Sequence, residues 1–260
     1  MRKPIMRHLI SHARNGVIGL GILVCAAMAW ALVREPDLSQ LSAMAVDRLR
    51  MHADDGQDAA ALQSLLLAAR QGNVEAMQAG ASVLLHHPAL DEAARGLPLA
   101  HAAAQQNNRS AQYLLGKAYF DGAPTRPPDL AQARNWFEKA AAQQHPKAAY
   151  LLGLMFKNGY GTAADPVAAA AWFEQAVELG NADAMFMLAN AYFAGEGVDR
   201  NPREALRLYM KAAALEHPLA AQTIAYAFKD GGLGLPQSER QSQQLMLGVA
   251  HSLRHPRAAY

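Results

Sequence analysis

Between residues 111 and 225 the apolar positions return in a fixed phrase. Ala111-Gln-Tyr-Leu-Leu-Gly116 is followed by Ala148-Ala-Tyr-Leu-Leu-Gly153, Ala184-Met-Phe-Met-Leu-Ala189 and Ala220-Ala-Gln-Thr-Ile-Ala225, at intervals of 37, 36 and 36 residues. With Ala111 and its equivalents as position 0, small and apolar residues fall at positions 0, 3, 4, 7, 8 and 11. At about 100° per residue these lie on one arc of an α-helix. A second apolar phrase follows each first one: Ala133, Trp136, Phe137 and Ala140, then Ala169, Trp172, Phe173 and Ala176, then Ala205, Leu208, Tyr209 and Ala212. Each period therefore predicts two amphipathic helices, A and B. A single such hairpin cannot bury its apolar face alone, so the pattern predicts stacked hairpins.

Punctuation agrees with the period. Gly122, Gly159, Gly195 and Gly231 recur in register as stops for helix A, with Gly161 and Gly197 following in two of the turns. Asp165-Pro166 and Asn201-Pro202 place a capping side chain before a proline at the first helical position. Ser238 with Gln241 has the form of a capping box. His145-Pro146, Asn181-Ala182, His217-Pro218 and His255-Pro256 mark the returns to the next helix A. Upstream, Gly72-Asn-Val-Glu-Ala76 fits the same return. A degenerate repeat without turn glycines then runs from Ala76 to Ser110, and a weaker helix B fits 57–71. Clear repeats are expected at 111–147, 148–183, 184–219 and 220–257, with degenerate ones over 57–110. His255-Pro-Arg-Ala-Ala-Tyr260 copies His145-Pro-Lys-Ala-Ala-Tyr150 and begins a further helix A. That start predicts an exposed apolar end around Leu245 and Val249, open to a partner or to self-association.

The pattern Ala-x-x-x-Leu-Gly-x-x-Tyr, a Gly-x-Gly turn and Ala-x-x-Trp-Phe-x-x-Ala-Ala resembles the Sel-one-like repeat (SLR), a subfamily of tetratricopeptide-like solenoids. The likeness is strongest over 111–214. Ala123-Pro124 replaces one glycine-bearing turn, and Ala189 and Ala225 replace the helix A glycine in two repeats. The resemblance implies an all-α, right-handed solenoid of stacked helix-turn-helix repeats. It also implies adaptor and scaffold roles, frequently in bacterial envelopes, and names no ligand.

Residues 16–33 form a charge-free apolar run, just long enough for a bilayer core that needs about 17–25 residues. Arg2, Lys3, Arg7 and Arg14 precede it. The positive-inside rule then assigns residues 1–15 to the cytoplasm and the solenoid to the periplasm of a Gram-negative-like cell. An uncleaved signal anchor is the expectation, because the charged stretch before the run is long. A cleaved signal peptide remains open, since Ala27-Met-Ala29 and Ala29-Trp-Ala31 have the small-x-small form of a cleavage site. A lipoprotein signal ending at Cys25 is disfavoured by the bulk of Val24. Residues 34–56 read as a linker or stem, with a helix over Leu38 to Met51 that ends near His52.

Composition narrows the function. The formal net charge is +2, but four of the 24 basic residues precede the apolar run and none of the 22 acidic ones do. The remainder is slightly acidic, which argues against nucleic acid as a partner. Cys25, the single cysteine, lies within the apolar run, so the solenoid has no thiol chemistry. No Gly-x-Ser-x-Gly, Ser-x-x-Lys, phosphate loop or His-Glu-x-x-His occurs. Ten histidines are present, but His145, His217 and His255 are one repeat apart. Packed helices stand roughly 10 Å apart, too far to share a zinc ion at about 2 Å. They read as turn residues, and His86-His87 as a solvated loop. Neither catalytic residues nor a metal or cofactor site is expected, and the protein reads as no enzyme.

The remaining signal is the helix A face that the core does not need, positions 2, 6 and 9. It carries Tyr113, Lys117 and Phe120; Tyr150, Leu154 and Lys157; Phe186, Asn190 and Phe193; and Gln222, Tyr226 and Lys229. Half of these twelve are aromatic in a chain with only 7% aromatic residues. Two readings stand: an aromatic and basic groove for a protein partner, since helix A lines the concave side of tetratricopeptide-like solenoids, or packing between successive repeats. The functional expectation is a membrane-anchored scaffold that binds another envelope protein. A cell-wall-acting enzyme or enzyme subunit and a secreted repeat effector are the alternatives.

Overall fold

The computed structural model describes residues 36–54, 58–86, 90–123 and 126–254. The apolar run 16–33, His87, Pro124 and the segment 255–260 lie outside the described residues. Among the described residues there are twelve helices: α1 (Ala43–Asp54), α2 (Ala59–Arg70), α3 (Val74–His86), α4 (Leu90–Gln105), α5 (Arg109–Asp121), α6 (Leu130–Ala142), α7 (Pro146–Asn158), α8 (Pro166–Glu178), α9 (Ala182–Ala194), α10 (Pro202–Ala214), α11 (Pro218–Asp230) and α12 (Glu239–Arg254). Each packs chiefly on the helix before it and the helix after it, the one-dimensional contact pattern of a solenoid. No helix among the described residues is long and apolar enough to cross a membrane.

The helix-A helices α5, α7, α9 and α11 pair with α6, α8, α10 and α12 as the period predicts. Phe137 and Phe173 are fully buried between them, and Tyr209 takes the same register in the third repeat. Helix A makes room for these rings by giving up its own side chain. A Cβ at Gly116 would stand 2.6 Å from Phe137, and one at Gly153 would stand 2.4 Å from Phe173. Where Ala189 replaces that glycine, the opposing residue is Tyr209. Its hydroxyl reaches out to donate to Asn190 Oδ1 at 2.6 Å. Trp136 and Trp172, expected in the core, stand half-buried at its edge.

Each hairpin is locked by the same backbone bond. The N–H of the helix B cap donates to the carbonyl at helix A position 8: Asp129 to Tyr119 at 2.9 Å, Asp165 to Phe156 at 2.8 Å, Asn201 to Tyr192 at 2.8 Å and Ser238 to Phe228 at 2.7 Å. The predicted caps are present: Asp165 accepts from Val167 and Ala168, Asn201 from Glu204, and Ser238 from the Gln241 N–H. The second turn glycine joins repeats together. A Cβ at Gly197 would lie 2.0 Å from the Pro166 carbonyl oxygen, and one at Gly161 would lie 2.7 Å from Leu130. Each turn thus rests on the first residues of the preceding helix B.

Three expectations are revised. The described part of the stem, 36–54, is more than a linker: its helix starts at Ala43 rather than Leu38, and Val46 is buried with Leu38, Leu41 and Leu49 against α2 and α3. Asn73 Nδ2 ties this segment down by donating to the Ser39 and Leu41 carbonyls at 3.1 Å each. Leu245 and Val249 do not form an exposed apolar end. Val249 is only 8% exposed, and Leu245 is half-buried against the core. They turn inward because α12 closes over α11; its outward positions carry Gln243, Gln244 and Leu247, so the apolar exposure at this end lies at Leu247, 73% exposed. His86 is the last residue of α3 rather than part of a loop, with its Nδ1 2.7 Å from the Ser82 carbonyl.

Candidate protein-interaction surface

The geometry of the helix A face follows from what stands before each helix A. Asn73, Asn108 and Asn181 each accept a hydrogen bond from the backbone N–H three residues on, at 2.9, 2.9 and 2.7 Å. His145 and His217 do the same through Nδ1, accepting from Ala148 at 3.3 Å and Ala220 at 3.2 Å. The histidines noted as turn residues are therefore helix N-caps. Only an imidazole unprotonated at Nδ1 can serve. Burial, with Arg109 and Lys147 nearby, pushes His145 down to about 4, which keeps it neutral. His217 places its Nε2 3.3 Å from Asp183 Oδ1. That contact holds the Asp183 carboxyl below its usual range.

The position 2 aromatics lie on these caps. Tyr113 stacks on His145 with ring centroids 4.4 Å apart and 16° between planes; Phe186 stacks on His217 at 4.8 Å and 22°. Each also tilts against the helix B ring of its own repeat, as Tyr150 does against Phe173 at 6.1 Å. Burial raises the hydroxyl pKa of Tyr113 and Tyr150. Position 2 thus packs between repeats, yet none of these side chains is fully buried.

Positions 6 and 9 are freer. Lys117 pairs with Asp121 along its own helix, and Phe120 packs on Phe137 and Tyr160. Leu154 is half-buried, and Lys157 approaches Glu196 of the next repeat at 3.9 Å. Asn190 receives the Tyr209 hydroxyl, as described above. Phe193 and Tyr226 are 45% and 49% exposed, and Lys229 is exposed beside them. The Arg200 guanidinium lies 5.8 Å from the Phe193 ring centroid. Of the twelve residues at positions 2, 6 and 9, those toward the C-terminal end are the most open to solvent. The face is a surface of aromatic, amide and cationic groups suited to contact with another chain; among the described residues, no three or more His, Cys, Asp or Glu side chains converge as a metal site would need.

Two features had no periodic signal. Gln112 is 2% exposed at a position where the other repeats carry Ala149, Met185 and Ala221. It donates to the Ala104 carbonyl and to Asn107 Oδ1 at 3.3 Å each, and accepts from Gln143 at 2.8 Å. The second is a polar cluster of His101, Tyr119, Arg126 and Trp136 where the degenerate repeat meets the first regular one.

A stack of helical hairpins whose A helices share one partly exposed face defines a tetratricopeptide-like α-solenoid. The three central hairpins match the Sel1 repeat family over residues 109–145, 146–181 and 182–217, so the chain carries three Sel1 repeats in an SLR-type α-solenoid. A Sel1 repeat protein from Oxalobacter formigenes is similar in fold, with TM-score 0.73 and 21% identity over 81% of this chain and 88% of that one. The chain is also similar to c5321, a protective antigen present in uropathogenic Escherichia coli strains displaying an SLR fold. There the TM-score is 0.70 and the identity 26%, over 84% of this chain but 49% of c5321, so the chain spans about half that protein's length. No curated protein matches the sequence. Sel1 repeats in general mediate protein–protein interaction, and their presence here indicates a protein-interaction scaffold.

Proposed function

We propose that this scaffold is a single-pass inner-membrane adaptor. Residues 16–33 anchor it with the N-terminus in the cytoplasm, and the periplasmic solenoid holds another envelope protein on the helix A face. The basic residues before the apolar run, with no acid among them, support the topology. The observation that carries the binding surface is the half-open helix A face, repeated in four helices and most exposed at Phe193 and Tyr226. A photo-crosslinking side chain at either position should trap the same envelope protein in intact cells, while one at Val167, 66% exposed at the start of a B helix, should not. Equal trapping at Val167 refutes the helix A face. A C-terminal alkaline phosphatase fusion should be active, and an inactive fusion refutes the periplasmic placement.

A further inference from the structure

The seam between the degenerate repeat and the first regular repeat differs from the seams after it. At the third seam, Tyr192 at helix A position 8 donates its hydroxyl to Glu174 of the preceding helix B at 3.3 Å. One repeat earlier the same helix B register holds Glu138, which pairs with Arg134 at 3.5 Å. At the first seam the register holds His101. Its Nε2 lies 3.0 Å from the Tyr119 hydroxyl, and burial followed by the nearby Arg126 charge lowers its pKa. A neutral imidazole thus stands where the next two seams hold a carboxylate, the fourth holding the exposed Met210.

Around His101 the donors outnumber the acceptors. The Arg126 guanidinium lies 4.9 Å from the Tyr119 ring centroid, and its Nη2 donates to the Ala118 carbonyl at 2.7 Å. Tyr119 and Trp136 both stand edge-on to the His101 ring, at 6.0 and 5.8 Å. Arg126 Nε and Trp136 Nε1 are buried N–H donors without a hydrogen-bond partner. A buried donor left unpaired costs about 1–3 kcal/mol, so two in one seam call for an explanation. Lys139 covers the Trp136 ring with its ammonium 4.1 Å from the centroid. It is exposed, and among the described residues no carboxylate lies within ion-pair reach of it or of Arg126.

We infer that this seam, at His101, Tyr119, Arg126, Trp136 and Lys139, is a recognition site for a carboxylate borne by a partner protein. The incoming group supplies the negative charge that Glu138 and Glu174 supply in the next two seams. Lys139 swings off the indole to admit it and then pairs with it. This site lies beside helix A position 8, on the opposite arc from positions 2, 6 and 9, so it stands or falls independently of the helix A face proposed above.

The test uses the full-length chain in detergent micelles with its tryptophans labelled with nitrogen-15. Trp136→Phe assigns the Trp136 indole signal, and Trp172 serves as internal reference. N-acetylglutamate α-amide carries only a side-chain carboxylate and N-acetylalanine only a C-terminal one. At least one of them should shift the Trp136 N–H downfield saturably while Trp172 stays in place, and the one that does names the source of the group. N-acetylglutamine amide should have no effect. Arg126→Gln should weaken the response roughly tenfold or more, the usual scale for one hydrogen bond to a charged group. His101→Glu should abolish the response, because the chain then provides its own carboxylate, and should raise the melting temperature. A Trp136 signal unmoved by both carboxylates, an equal response to the amide, or a His101→Glu chain that responds like the parent overturns the inference.

Discussion

Under the fully buried rings of Phe137 and Phe173 the facing helix has no side chain at all, only Gly116 and Gly153. In the last repeat the same two registers hold Ala225 and a half-buried Met246, with Leu245 in the register of Trp136 and Trp172. In the degenerate repeat the tight contact moves to the other helix, where a Cβ on Gly96 of α4 would lie 2.9 Å from Leu85 and 3.1 Å from the Ala81 carbonyl oxygen. The turns differ in parallel. Gly161 and Gly197 sit against the preceding B helix, whereas the last repeat holds Leu233 there at φ 54°. The centre of the molecule is therefore built on glycine–aromatic pairs and glycine seams, and the two ends on less exacting aliphatic contacts.

The largest effect that separates centre from end is loss of a ring. Phe173→Ala should cost about 3–5 kcal/mol, whereas Leu245→Ala, half-buried at the end, should cost about 1–2. Denaturant melts of the two variants check this, and equal losses would erase the distinction. Next comes the seam itself. Gly197→Ala adds a methyl against the Pro166 carbonyl at a φ of 74°, and should cost about 3 kcal/mol. Gly234→Ala, at φ 77° with open space around it, should cost about 1 kcal/mol.

A third effect depends on pH. His145 has a folded pKa near 4 against an ordinary value of 6.5, so the unfolded chain binds the proton more readily. Its contribution is complete above about pH 6.5 and declines as pH falls toward 4, by on the order of 2 kcal/mol after allowance for its partial exposure. His145→Asn keeps the cap, as Asn181 shows in the next repeat, and should flatten the stability–pH curve between those values. An unchanged curve would mean that other groups cause the acid loss. The smallest effect is a gain. Gln144 occupies φ 60° just before the His145 cap, where Gly72 and Gly180 stand in other repeats. Gln144→Gly should raise stability by about 1 kcal/mol in a thermal melt.

The period, the helix pairs, the caps at Asp165 and Asn201 and the buried register of Phe137 and Phe173 were all legible in the chain, because helical faces and turn chemistry are local properties. Two features were hidden because their residue types carry no signal of their own. Leu38 to Ala53 resembles a linker in sequence, and becomes part of the solenoid only because Asn73 and the α2–α3 surface stand opposite it. Asn107, Gln144 and Glu216 carry positive φ without being glycine, and only the return geometry demands it.

By itself, then, the sequence determined an all-helical stack, its repeat step and which arc of each helix faces inward. The tertiary structure decided what the uncommitted residues do. It made His145 and His217 caps beneath the Tyr113 and Phe186 rings. It turned Val249 inward, and it brought His101, Arg126 and Trp136 from three segments into one seam with two unpaired donors. The reason is physical: amphipathic periodicity fixes the direction of a side chain, whereas its partner depends on the neighbouring helices and turns.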